Sequence, residues 1–349
     1  MEIPVVLEKD RNENREGQSN EKIHLRVGEK KMKITVIGCG RWGSFIAWYL
    51  DKNGHDIRLY GRETSKNMKR FLETRSNDLI ELTPSVKLET KLENCIDSEI
   101  ILISVNSQGL RHLMEELAPY ELRKKTFVLC MKGIEIETGE RLTEVLREYI
   151  SEDSSSAVWL GPGHVQEFYK GIPNCMVIDS EDEQVKERLI NDFSSDLIRF
   201  YYGNDLLGNE IGAASKNVIG IAAGMLDGLN LTSLKGALMS RGTREVSRLI
   251  KAMGGSELSA YGLCHLGDYE ATVFSRFSHN RMFGESFVRG EEYTSLAEGY
   301  YTVKAMRALS KKYHVDLPIT DTVYAVLYEK KEAREALNKL FVRSLKEEF

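Results

Sequence analysis

The sequence predicts a two-part α/β protein, a doubly wound sheet with helices on both faces followed by an all-α region. Three observations carry that expectation. Up to residue 202, seven short β-branched or apolar runs alternate with helical-looking stretches, the pattern of strands buried on both faces. Beyond about residue 204 such runs cease, and small and apolar residues dominate long stretches. No proline occurs between Pro173 and Pro318, which leaves long helices unbroken. At 349 residues the chain exceeds one ordinary core, taking roughly 150 residues per domain. We expect an extension over 1–31, a dinucleotide-binding domain over 32–203 and a helical substrate and catalytic domain over 204–349.

The first 31 residues carry seven acidic and seven basic side chains with almost no apolar clustering. A transit peptide would be poor in acid and a signal peptide would hold an apolar core, so the segment reads as a mobile extension. Strands are expected over 33–37, 56–60, 99–105, 126–130, 157–160, 175–178 and 198–202, forming a parallel sheet. Helices are expected over 42–50 in the first part and over 210–226, 234–253, 296–313 and 321–327 in the second.

Lysine and arginine total 48 against 53 acidic residues, a net charge of −5 that gives no bulk case for nucleic acid. A local basic pocket for an anionic ligand survives that test. No run approaches the roughly 18 consecutive apolar residues of a membrane helix. Five scattered cysteines with no C-x-x-C pair read as reduced thiols in a cytoplasmic protein, and seven histidines without metal spacing argue against a metal site.

The segment G-C-G-R-W-G at 38–43 closes the first strand and opens the first helix. Gly38 permits the tight turn, Gly40 lets a pyrophosphate approach the backbone, and Gly43 lets helix pack on strand. With strand, turn, helix and second strand inside about 30 residues, the unit reads as Rossmann-type dinucleotide binding. At the end of the second strand Arg62 leans towards the 2′-phosphate of NADP, and Glu63 beside it keeps NAD open; a solvated Arg–Glu pair is the plain alternative. Lys132 follows the fourth expected strand and G-P-G-H-V at 161–165 follows the fifth, both on the ligand-binding edge of such a sheet. Lys216 is the one cation in a long small and apolar stretch from Gly212, so desolvation should lower its pKa towards the range useful for proton transfer. Asp268 and Thr272, spaced i and i+4, share a helix face, and S-H-N-R at 278–281 adds donors for an anion.

Together these segments resemble the NAD(P)-dependent glycerol-3-phosphate dehydrogenases of the bacterial type. The pieces are G-C-G-R-W-G at 38–43, M-K-G-I-E at 131–135, G-P-G-H-V-Q-E at 161–167 and G-A-A-S-K-N-V at 212–218. R-G-T-R-E at 241–245, G-D-Y-E-A-T at 267–272, S-H-N-R-M-F-G at 278–284 and A-E-G at 297–299 follow. The resemblance implies interconversion of dihydroxyacetone phosphate and sn-glycerol 3-phosphate, a phospholipid precursor, by hydride transfer with NADP or NAD. Lys216 would be the proton donor and acceptor, Lys132 the second lysine near carbonyl and cofactor, and Asp268 the partner that holds Lys216. Asn217, Thr272, Ser278 and Asn280 fall with Asp268 on substrate positions, and Gly161 and Gly163 on backbone lining the substrate. Arg41, Trp42, Arg62, Val165 and Glu298 fall on cofactor positions, with Gly38, Gly40, Gly43 and Lys132.

Departures stand out at His279, at Val105-Asn106-Ser107 after the third strand, where the family loop reads V-P-S, and at Gly163. His279 replaces the arginine that grips the substrate phosphate and touches the cofactor, and position 163 is Gly where Ser or Thr is usual. If His279 still faces the phosphate, binding should strengthen as the imidazole charges, and His279→Arg should tighten it. Two other readings stay open: a paralogous reductase of another (phospho)ketone, and a catalytically weakened dinucleotide-binding sensor. The expected partner is a small phosphorylated molecule, with no nucleic acid and no membrane span. Oligomeric state is left open, a homodimer included.

Overall fold

A computed structural model describes residues 31–342. The segment read as an extension therefore lies, apart from Lys31, outside the described residues. The first part runs β1 (Lys33–Ile37), α1 (Arg41–Lys52), β2 (Asp56–Tyr60), α2 (Lys66–Thr74), β3 (Lys87–Glu89), β4 (Ile100–Ile103) and α3 (Leu110–Leu117). It continues β5 (Thr126–Leu129), α4 (Leu142–Arg147), β6 (Ser155–Leu160), α5 (Val165–Tyr169), β7 (Asn174–Ser180), α6 (Glu183–Phe193) and β8 (Ile198–Tyr202). The strands form one sheet in the order β3-β2-β1-β4-β5-β6-β7-β8. Apolar side chains are buried on both of its faces, which is why the strands read as continuous hydrophobic runs.

Two expectations about the sheet need correcting. There are eight strands, because the three-residue β3 pairs beside β2. The sheet is also not wholly parallel: β6 and β7 pair antiparallel. A parallel return needs an element long enough to carry the chain back along the six-residue β6, about 20 Å. The five-residue α5 supplies only about 7 Å of rise, so β7 starts near the end at which β6 finishes.

The second part consists, among the described residues, of α7 (Leu206–Gly228), α8 (Lys235–Ala252), α9 (His279–Arg289), α10 (Glu298–Tyr313), α11 (Pro318–Tyr328) and α12 (Ala333–Phe341), with short turns between. Two of these helices, α9 and α12, were not expected. α7 starts earlier than its apolar pattern because Asp205 caps it, accepting from the Gly208 N–H at 3.0 Å. This helix is buried along nearly its whole length and packs against α8, α9, α10, α11, β6 and β7. No helix among the described residues is long and apolar enough to cross a membrane.

Candidate active site

The ends of β1, β2, β4 and β5 open onto a cleft of about 1190 Å³, whose far wall comes from α7, the turns between α8 and α9, and α9 itself. The order reverses between β1 and β4, so the loops after these two strands diverge there, as at the ligand-binding edge of doubly wound sheets. At Gly38 (φ +112°) any side chain would collide with the Ser104 carbonyl. At Gly43 a Cβ would sit 1.9 Å from the Gly38 carbonyl oxygen, so helix and strand meet only because both residues are glycine. Gly40, by contrast, has no atom within 4 Å of where a Cβ would stand, and no side chain caps α1 there. The free N–H groups of the first turn therefore face the cleft, a cradle that fits the pyrophosphate of a dinucleotide.

At the centre of the cleft three charged side chains converge. Lys216, midway along α7, donates to Thr272 Oγ1 at 2.7 Å and lies 2.8 Å from Asp268 Oδ2. Lys132, just past β5, reaches the same Oδ2 at 2.6 Å and the Gly161 carbonyl at 2.8 Å. Asp268 is 1% exposed and Lys216 7%. Burial lowers the Lys216 ammonium to about 8; Asp268 opposes that and Lys132 adds to it. Asp268 and Thr272 do not share a regular α-helix, as the spacing suggested. Asp268 ends a tight turn and Thr272 sits in a single π-helical turn, Glu270–Phe274, a geometry often found at functional sites.

A buried histidine mounts this group. His265 donates from Nδ1 to the Gly212 carbonyl at 2.8 Å, one turn before Lys216, and accepts from the Tyr269 hydroxyl at 2.7 Å. Its own carbonyl accepts the Asp268 N–H at 3.1 Å. Burial lowers its pKa to about 4, so it stays neutral. A second chain of contacts ties the helical wall together. Asn280 donates to Asn217 Oδ1 at 3.0 Å and accepts from the Gly299 N–H at 2.8 Å, while Asn217 donates to the Lys132 carbonyl at 3.4 Å.

Of the residues singled out in the sequence, Gly38, Gly40, Arg41, Trp42, Arg62, Lys132, Gly163, Lys216, Asn217, Asp268, Thr272, Ser278, His279, Asn280 and Glu298 line the cleft. Gly43, Gly161 and Val165 do not. Gly43 packs beneath the first turn, Gly161 touches the cleft only through the carbonyl that holds Lys132, and Val165 is buried in the core. Ser278 caps α9, accepting from the Arg281 N–H at 3.3 Å. Glu298 accepts from the Ser107 hydroxyl at 2.5 Å and its N–H at 3.3 Å, and burial raises its pKa. Arg62 pairs with Glu116 at 2.9 Å, not with Glu63. Arg281 turns away from the cleft to Asp227 and Glu285, each at 2.8 Å, so it is no anion donor there. Gly163 has φ +152°, and a Cβ would strike the Phe168 ring, which explains a glycine at that position.

His279 does not face open space either. Its Nε2 lies 3.0 Å from Arg41 Nη2, and its Nδ1 2.6 Å from the Tyr293 hydroxyl. Sequence reasoning missed Tyr293 and His265, neither of which stands in a recognisable pattern. It also passed over His164, inside a quoted motif, which lines the cleft with Nε2 unpartnered among the described residues.

Two family models match the chain, the NAD-dependent glycerol-3-phosphate dehydrogenase N-terminus over residues 33–186 and the corresponding C-terminus over 205–338. A glycerol-3-phosphate dehydrogenase of the NAD(P)+ type from Fusobacterium nucleatum subsp. nucleatum is 36% identical, covering 90% of this chain and 98% of that one. A relative of the same name from Pelodictyon phaeoclathratiforme is 35% identical, covering 91% and 99%. The crystal structure of glycerol-3-phosphate dehydrogenase from Coxiella burnetii superposes with a TM-score of 0.83 at 27% identity, covering 90% of this chain and 99% of that one.

Proposed function

We infer the reaction from one premise: the chain belongs to the NAD-dependent glycerol-3-phosphate dehydrogenase family. It is an oxidoreductase that interconverts dihydroxyacetone phosphate and sn-glycerol 3-phosphate with NADH or NADPH. The observation that carries this reading is a lysine of pKa about 8, held between Asp268 and Thr272 in the same cleft as the glycine cradle.

When bound, the nicotinamide supplies or accepts the hydride. Gly38, Gly40 and the first turn of α1 would hold the pyrophosphate of the dinucleotide, Trp42 and Glu298 would line its path through the cleft, and Arg62 would meet its adenosine side. Arg62 can leave Glu116 at little cost, because an exposed ion pair is worth roughly 0–1 kcal/mol. In reduction, Lys216 is mainly protonated at neutral pH and gives its proton to the substrate oxygen as the carbonyl becomes a hydroxyl. In oxidation, the neutral amine takes that proton back, which favours higher pH. Asp268 fixes both lysines through one oxygen, and Lys132 places a second positive charge where negative charge develops in the transition state. Asn217 and Thr272 orient the substrate and Lys216.

The ligand in this reading is a small phosphorylated molecule rather than nucleic acid. Free thiols at all five cysteines suit the reducing cytoplasm in which we place the protein. The test is absorbance of NADH and NADPH with dihydroxyacetone phosphate as substrate. Turnover with at least one cofactor is expected, and none with either would remove the reading.

A further inference from the structure

Four cations line the cleft, and three already have carboxylates. Lys132 and Lys216 share Asp268, and Arg62 reaches Glu116. Among the described residues, Arg41 alone of the four has no carboxylate partner; its guanidinium meets His279 instead. A guanidinium only donates, so His279 Nε2 must accept, and the imidazole proton then sits on Nδ1 and is donated to the Tyr293 oxygen. Burial, and next the Arg41 charge, hold the imidazole below its ordinary range, consistent with a neutral ring. His279 thus brings no charge to the cleft and aims one.

We propose that Arg41, held by the neutral His279–Tyr293 pair, supplies the fixed positive charge that binds the phosphate monoester of the substrate, with His279 its positioning residue. This rests on the reaction proposed above. The contact path supports it. His279 precedes Asn280, whose amide donates to Asn217, the residue after Lys216, so the guanidinium and the proton donor lie at two ends of one connected wall. The two lysines spend one charge on Asp268, leaving too little for a dianion at the far end of a three-carbon substrate. The cofactor pyrophosphate is the other phosphate that enters this cleft. However, Arg41 reaches over to the helical part instead of folding back on the free N–H groups of α1.

The test compares wild type with Arg41→Gln. The Michaelis constant for dihydroxyacetone phosphate should rise about 10- to 100-fold, the worth of a charge-assisted contact. The loss should fall on that Michaelis constant at least severalfold more than on turnover, on NADH affinity by fluorescence titration or on activity towards unphosphorylated dihydroxyacetone, none of which involves the monoester. An unchanged Michaelis constant overturns the proposal. So does an equal loss for NADH, which would assign the guanidinium to the pyrophosphate, or a parallel loss with dihydroxyacetone. For the positioning role, His279→Gln keeps an acceptor and should keep affinity, His279→Ala should lose severalfold, and His279→Arg should weaken binding by setting two guanidinium groups together. A His279→Arg protein that binds more tightly would sink that part. If wild type is inert with dihydroxyacetone phosphate, the reaction reading fails. Titration of inorganic phosphate onto wild type and Arg41→Gln then decides the anion site, and equal affinities overturn it.

Discussion

Asp268 and Glu245 are two carboxylates of the helical part, each 1% exposed, and their company differs completely. Asp268 stands in a cleft wall with two lysines on one oxygen. Glu245, on α8, accepts, among the described residues, from neutral donors: the N–H groups of Ile319 and Thr320 at 2.7 and 3.0 Å and the Thr320 hydroxyl at 2.7 Å, where α11 begins. It feels the Arg248 charge without a hydrogen bond to it. Burial raises the Glu245 pKa to about 7, with the donors of Ile319 and Thr320 pulling it down. Buried charge alone therefore does not mark an active site. What separates the two is access to a cleft and a neighbour whose proton can move.

The comparison breaks first at Lys216. Lys216→Ala should reduce turnover by roughly 10²- to 10⁴-fold with NADH affinity little changed. Near-full turnover, measured at saturating dihydroxyacetone phosphate, would leave the Asp268 cluster as structural as Glu245. The converse case is Glu245→Ala, which strands three buried donors. We expect a loss of roughly 2–4 kcal/mol in urea unfolding, with turnover per folded molecule unchanged. A stable but inactive variant would give Glu245 a catalytic link that its contacts lack.

The two groups also differ in how pH reads them. Glu245 has a folded pKa above its unfolded value of 4.5, so its contribution is fully present below about pH 4.5 and fades as pH rises through about 7. Glu245→Gln should remove a stability slope worth on the order of 3 kcal/mol between those limits. Lys216, at about 8, should instead shape catalysis, with reduction falling and glycerol 3-phosphate oxidation rising through that pH. Matching unfolding curves of wild type and Glu245→Gln across the range, or flat rate profiles, would dissolve the distinction. The smallest effect belongs to the exposed rim. Arg62→Ala should weaken NADPH by about tenfold and NADH less, and equal losses would deny Arg62 a place at the 2′-phosphate.

The same contrast explains what the sequence made legible. Lys216 was readable because a lone cation among small and apolar residues must be desolvated wherever the helix packs. The β1–α1–β2 unit was readable because only glycine satisfies its close approaches at 38 and 43. Glu245 stood in plain view within R-G-T-R-E, yet its role needs Thr320, 75 residues away. The Arg41–His279 contact spans 238 residues, and no local pattern encodes it. The strand direction of β7 was hidden for another reason, since apolar alternation is the same whichever way a strand runs. α9 was missed because it is largely polar, with Gly284 its one fully buried residue.

The placement of Lys216 on α7 has a further consequence. Fraying begins at helix ends and at thinly packed segments, and Lys216 is far from either, on a helix walled in by four others and by the sheet. Backbone amides around it should exchange with solvent only when the whole molecule opens. Adjustment to cold or heat that loosened the proton donor would therefore loosen the whole helical part with it. Local adjustment falls to the rim, where Arg41, Tyr293 and the loops around them can gain or lose order while the centre stays fixed.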